Sequence, residues 1–127
     1  MADTDATGAP SRLGRLLFAG GLTVLAALNL KNLDGRIAYA DAKGVPAATK
    51  LVPAASALLL GGSLGIASWT RPKLSAGSIA TFFVGVTPLM HDFWNVEDGV
   101  EDELMSFLQN IAVLGAAVSF FRRASRD

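Results

Sequence analysis

With 127 residues the chain has room for one domain, and 51% apolar content beside only 17% charged residues leans toward a membrane protein, since an average soluble domain carries about 25% charged residues. Eleven basic and eleven acidic side chains cancel to a net charge of zero, and no basic run interleaved with aromatics offers a footprint for nucleic acid. The absence of cysteine excludes disulfides, thiolate nucleophiles, iron–sulfur clusters and covalently attached c-type haem.

In chain order, residues 1–12 read as a disordered cytoplasmic N-terminus. The first apolar segment is Leu13–Leu30. Arg15 interrupts it near the start, where its side chain can snorkel to the headgroups. Ala38-Tyr39-Ala40 has the small-x-small form of a signal-peptide cleavage site, but it lies ten residues past the apolar stretch, too far for that use. Between Asn32 and Lys50 the chain is too charged to span and too long for a tight turn. Gly35 and Gly44-Val45-Pro46 punctuate this loop, and Arg36 to Lys43 is predicted as a short amphipathic helix at the interface, read as a structural lid in preference to a binding site.

Three further segments carry no charge: Leu51–Thr70 with 20 residues, Leu74–Met90 with 17 and Leu104–Phe121 with 18. Each is long enough to cross a hydrocarbon core of about 30 Å. A soluble bundle would show a charged stripe at helical period on each helix, and none exists here. Pro53 is placed in the first turn of its span, where a missing N–H is harmless. Pro88 lies inside the third span and releases the carbonyl of Val84, which predicts a kink just before His91. Small residues spaced for close helix approach are Gly61 with Gly65, Gly77 with Thr81 and Gly85, Ala112 with Ala116, and Gly115 with Ser119. The expected fold is all-α, a bundle of four transmembrane helices over residues 13–121 with a short amphipathic segment in the first external loop. Residues 122–127 form a basic tail.

Lysine and arginine placement orients the bundle in a cell membrane. With the N-terminus cytoplasmic, seven basic residues lie inside (Arg12, Arg15, Arg71, Lys73, Arg122, Arg123 and Arg126). Four lie outside: Lys31, Arg36, Lys43 and Lys50. Four spans then place both termini in the cytoplasm.

The single histidine, His91, closes the third span, and six carboxylates follow it from Asp92 to Glu103 without a lysine or arginine between them. Glu103, Ser106 and Asn110 share one helix face, and Asn110 lies about 10 Å deeper than Glu103. Each residue has a plain structural reading. His91 can cap a helix end, Trp94 can join an aromatic belt, Asn110 can bond between helices, and the acids can be a solvated loop favouring the start of span four. Polar groups within a membrane span nevertheless tend to face a protein interior. His91 and Asp92 are therefore the candidate catalytic pair for proton transfer, and Asn29, Trp94, Glu103 and Asn110 the candidate ligand-binding residues. No metal site is expected, because no i, i+4 ligand pair contains the histidine.

These residues carry a resemblance to the DoxX family of small prokaryotic membrane proteins. It runs through "LGRLLFAGGLTVLAALNLKNL", "AYADAKGVPAA", "LVPAASALLLGGSLGIAS", "HDFW" and "FLQNIAVLGAAV", and covers almost the whole chain after residue 12. The resemblance implies a four-helix integral membrane fold. It also implies a redox setting, since members are described as subunits of quinone-linked oxidoreductases or as membrane components of oxidant-defence complexes.

One histidine cannot ligate a haem through two imidazoles, whereas a quinone headgroup needs only hydrogen-bond partners, a proton donor or acceptor and an aromatic wall. The sequence leaves the cofactor unknown, with a quinone as the candidate. Two other readings compete. The protein could be a non-catalytic anchor or assembly partner whose acidic loop docks a basic soluble enzyme, or, less favoured, a small-solute transporter. Surroundings and partners in these readings are the lipid bilayer, other subunits or further copies of the chain, and no nucleic acid.

Overall fold

The computed structural model describes residues 10–125. They form helices α1 (Arg12–Lys31), α2 (Leu33–Ala42), α3 (Ala48–Ser68), α4 (Pro72–Met90) and α5 (Val100–Ser125), with a 3-10 turn at Phe93–Asn95. The segment read as disordered, 1–12, falls almost wholly outside the described residues. The basic segment after residue 121 continues α5 as helix to Ser125.

Four of the helices, α1, α3, α4 and α5, are long and apolar enough to cross a membrane. The helix packs α1 on α3, α3 on α4, and α4 on α5. α1 and α5 meet where the Phe18 and Phe120 rings approach to 4.9 Å. Successive spans run in opposite directions. One end, the terminal rim, therefore holds the start of α1, the α3–α4 turn and the end of α5. The other, the strap rim, holds α2 and the acidic loop.

Leu22, Leu59, Ile66, Ile79 and Phe83 fill the core, with Ala19, Ala26, Ala76 and Ala117 where helices approach. Large apolar side chains cover the outside: Leu17 is 69% exposed, Val24 59%, Leu64 52% and Val84 60%. Water would not tolerate such a surface, whereas lipid solvates it and leaves each helix to satisfy its own backbone hydrogen bonds. The all-α four-helix bundle expected from hydropathy is the observed fold, and the chain is a multi-pass membrane protein by the character of these helices.

Several local expectations change. The third helix begins at Ala48, after Ala47 at φ 51°, so Pro53 sits in the second turn and removes the donor that would have met the carbonyl of Thr49. Thr49 is exposed at the rim. Pro88 falls inside α4 as expected, three residues before the His91 cap.

The small-residue pairing also differs. A Cβ at Gly61 would meet nothing within 4 Å, whereas one at Gly62 would come within 2.9 Å of Ile79 Cγ1 and of the Ser75 carbonyl. One at Gly65 would overlap the Ser75 side chain. The contact face of α3 is therefore Gly62 with Gly65, because its inward stripe runs through Leu59, Gly62, Ser63 and Ile66. Gly85 and Gly115 likewise face open space.

Arg15 does not reach outward to the headgroups. It is buried at 6% exposure, donates from Nη1 to the Ala67 carbonyl at 3.0 Å and from Nε to the Pro10 carbonyl at 3.2 Å, and stacks over Trp69 at 5.9 Å. The last carbonyls of a helix have no internal donor and carry the negative end of its dipole, so the end of α3 is a favourable seat for a guanidinium.

Candidate functional site

α2 lies across the strap rim, held by a small cluster of Ala40, Val45 and Ala48 with Ile37, Val52 and Met90 packed against it. It ends at Lys43, whose N–H bonds back to the carbonyls of Tyr39 and Ala40, and Gly44 takes a φ of 83° that reverses the chain. A β-carbon would oppose that left-handed conformation. With its backbone held this way, Lys43 aims its side chain at the α4–α5 loop.

There Lys43 Nζ donates to Asp92 Oδ1 at 2.9 Å and to Glu103 Oε2 at 3.1 Å. All three side chains are largely covered, at 17–18% exposure. Asp92 also accepts from Asn95 Nδ2 at 3.4 Å, and the ammonium lies 5.8 Å from the centre of the Tyr39 ring. The hydrogen bond from Lys43 holds the Asp92 carboxyl below its ordinary range, against the opposing pull of partial burial. Reciprocally, the Asp92 carboxylate raises the Lys43 ammonium above the ordinary lysine value, with Glu103 adding to it. This ion-paired strap joins the α1–α2–α3 half of the bundle to the α4–α5 half.

His91 Nδ1 stands 3.5 Å from the other Glu103 oxygen, within ion-pair distance but making no hydrogen bond, and the atom is buried. One turn earlier on the same face, Thr87 Oγ1 is also buried and unpartnered, and the whole residue is only 2% exposed. A helical threonine ordinarily satisfies its hydroxyl on the carbonyl four residues back. Buried polar atoms almost always have a partner, so two such atoms one turn apart single out this end of α4.

The deeper amides are set by helix geometry. Phe18 meets Phe120, and from that level Asn29 rises about 16 Å along α1 while Asn110 rises about 15 Å along α5. Gly77 faces Phe121, and from there Thr87 rises about 15 Å along α4. Asn29, Thr87 and Asn110 thus share one depth, below the strap. Asn29 and Asn110 are half-buried on stripes continuous with the inward residues Ala26 and Ala117, and neither side chain has a hydrogen-bond partner among the described residues.

Of the residues singled out from sequence, the fold brings His91, Asp92 and Glu103 together. Trp94 goes elsewhere: it is 60% exposed and forms an edge-on cluster with Phe93 at 5.1 Å and Phe107 at 5.9 Å. Phe107 is one turn beyond Glu103, so this aromatic wall adjoins the charged group.

Sequence reasoning missed Lys43 and Thr87. Lys43 was one of four basic residues in its region, and nothing local distinguishes it from Lys31, Arg36 or Lys50. Thr87 had a readable signal in its i, i+4 spacing from His91. Among the described residues no group of three or more His, Asp or Glu side chains is arranged to hold a metal ion. The Lys43 ammonium itself supplies the positive charge between Asp92 and Glu103.

In comparison with known proteins, the chain matches no family model, no curated protein and no solved structure.

Proposed function

We propose that the protein is a DoxX-like membrane subunit of a quinone-linked or oxidant-defence redox system, and that it holds a quinone headgroup beneath the Lys43 strap. The observation that carries this reading is the pair of buried, unpartnered polar atoms, Thr87 Oγ1 and His91 Nδ1, one turn apart on α4. A quinone carbonyl accepts hydrogen bonds, which Thr87, Asn29 or Asn110 can donate. His91 exchanges a proton at that oxygen, and Asp92 and Glu103 connect it to the aqueous rim. Phe93 and Phe107 wall the ring. Side chains do little electron chemistry, so reduction to quinol takes two electrons from a partner subunit together with two protons.

The strap rim belongs to the outer leaflet in this reading. Among the described residues, the terminal rim holds six lysines and arginines, Arg12, Arg15, Arg71, Lys73, Arg122 and Arg123, and every carboxylate lies toward the strap rim.

A titration of purified protein with a short-chain quinone tests the site. Thr87→Val and His91→Ala should each weaken binding about three- to tenfold, the loss expected for one hydrogen bond. Unchanged affinity in both variants overturns the reading.

A second reading rests on a different observation. Glu97, Asp98, Glu101 and Asp102 remain exposed, with no partner among the described residues, while Asp92 and Glu103 are engaged by Lys43. Such a free acidic ridge suits a basic soluble enzyme docked at the strap rim. Co-purification of a partner that is lost at high salt, with no effect of His91→Ala, would favour this anchor function.

A further inference from the structure

At the opposite end, an open groove of about 830 Å³ runs along the lipid-facing side of α4. Its floor is Gly77 and Thr81, its walls are Leu58 of α3 and Phe121 of α5, and its mouth is flanked by Arg71 and Lys73. The groove exists because α4 presents small side chains where its neighbours present large ones. A Cβ on Gly77 would just touch the Phe121 ring at 3.5 Å.

The charge at the mouth is unbalanced. Arg71 takes a left-handed φ of 44° in the turn before α4, and Lys73 Nζ sits 5.9 Å over the Phe121 ring. Neither cation has a carboxylate partner among the described residues, and all eight carboxylates between residues 10 and 125 lie from Asp34 to Glu103, toward the strap rim.

We infer that this groove is a binding site for an anionic glycerophospholipid from the leaflet at the terminal rim, its phosphate between Arg71 and Lys73 and one acyl chain along Gly77 and Thr81. The dimensions suit that occupant. From Pro72 to Thr81 the helix rises about 13 Å, close to half of a hydrocarbon core of about 30 Å, the depth of one leaflet. A flat apolar face would take any lipid, whereas two uncompensated cations at the headgroup level select negative charge. The inference is independent of the quinone reading, since the two sites lie at opposite ends of the bundle.

Native mass spectrometry of the detergent-purified protein, titrated with phosphatidylglycerol or phosphatidylcholine of matched chains, tests it. Wild-type protein should retain phosphatidylglycerol in clear excess, and that excess should shrink at high salt. Arg71→Gln and Lys73→Gln should each lower phosphatidylglycerol affinity about fivefold, the equivalent of about 1 kcal/mol per cation. Gly77→Leu, which fills the groove and spares both charges, should weaken lipid retention while leaving the helical circular dichroism signal intact. Equal retention of the two lipids by wild-type protein overturns the inference. So does glycerol 3-phosphate competing as well as the intact lipid, because the groove would then contribute nothing. The wild-type comparison needs no variant, so a variant that failed to fold would not leave the question open.

Discussion

Lys43 and Asp92 stand 49 positions apart in the chain and meet at 2.9 Å. They join the end of the short helix α2 to the first residue beyond the cap of α4, so the lid-like segment is tied across the bundle by charge and not only by the apolar cluster beneath it. Glu103 completes the arrangement from the first turn of α5. A single ammonium therefore holds three elements that no backbone hydrogen bond connects.

Replacing Lys43 by Met should release that tie. Asp92 and Glu103 would face each other without a cation, and α2 would stay seated only through Ala40, Val45 and Ala48. Hydrogen exchange at the amides of residues 40–45 should accelerate while the core of α3, around Leu59 and Ile66, stays protected. Lys43→Arg, which keeps the charge, should restore much of the protection. Exchange as slow in Lys43→Met as in wild type would show that the strap is held by packing alone.

The same pair sets a pH window. The Asp92 carboxyl is held below its ordinary 3.8 and the Lys43 ammonium above its ordinary 10.5. Where the unfolded form takes up protons before the folded one, stability falls on acidification, so the Asp92 contribution is complete above about pH 4 and is lost below it. The Lys43 contribution is complete below about pH 10 and is lost as alkali rises beyond it. Strap protection should be flat across the neutral range and fall at both extremes. The acid limb should be shallower in Asp92→Asn, measured by exchange or by thermal unfolding in detergent.

Gly65→Leu should separate α3 from α4, because its side chain would enter the space of Ser75. Overpacking of this kind costs about 1–3 kcal/mol. Gly61→Leu, facing open space, should change stability by less than about 0.5 kcal/mol. Thermal unfolding in a single detergent distinguishes the two, and equal effects would refute the observed helix rotation.

Arg15→Leu removes the donor to the Ala67 carbonyl and the stack on Trp69. A hydrogen bond to a charged group is worth about 1.5–3 kcal/mol, and a loss in that range is expected. Arg12→Leu, at an exposed position three residues earlier, should be nearly neutral. Unfolding midpoints for the two variants make the comparison.

Some of the site was legible in the sequence. The spacing of Glu103, Ser106 and Asn110 put them on one face, and the run after His91 marked an acidic rim. Lys43 was not legible, because choosing it over Lys31, Arg36 and Lys50 requires knowing where α2 ends and which way its last residue points. The Gly61 and Gly65 pairing failed for a related reason. A four-residue spacing identifies a stripe of small residues but not which stripe faces a neighbour, and a shift of one residue turns the face by about 100°. Arg15 was expected at the lipid headgroups because the carbonyl it binds belongs to Ala67, 52 residues away.

By itself the sequence determined the number of membrane-crossing helices, their approximate limits, their lipid environment and the acidic run after His91. Those properties are local sums over about 20 residues, and a membrane helix satisfies its own backbone hydrogen bonds whatever lies beside it. Only the tertiary structure decided the rotation of each helix about its axis, the pairing of Lys43 with Asp92 and Glu103, the two orphaned polar atoms beneath them and the groove beside Arg71 and Lys73. Each depends on side chains from different helices meeting at distances of a few ångströms, and hydropathy, which has no rotational information, cannot specify that.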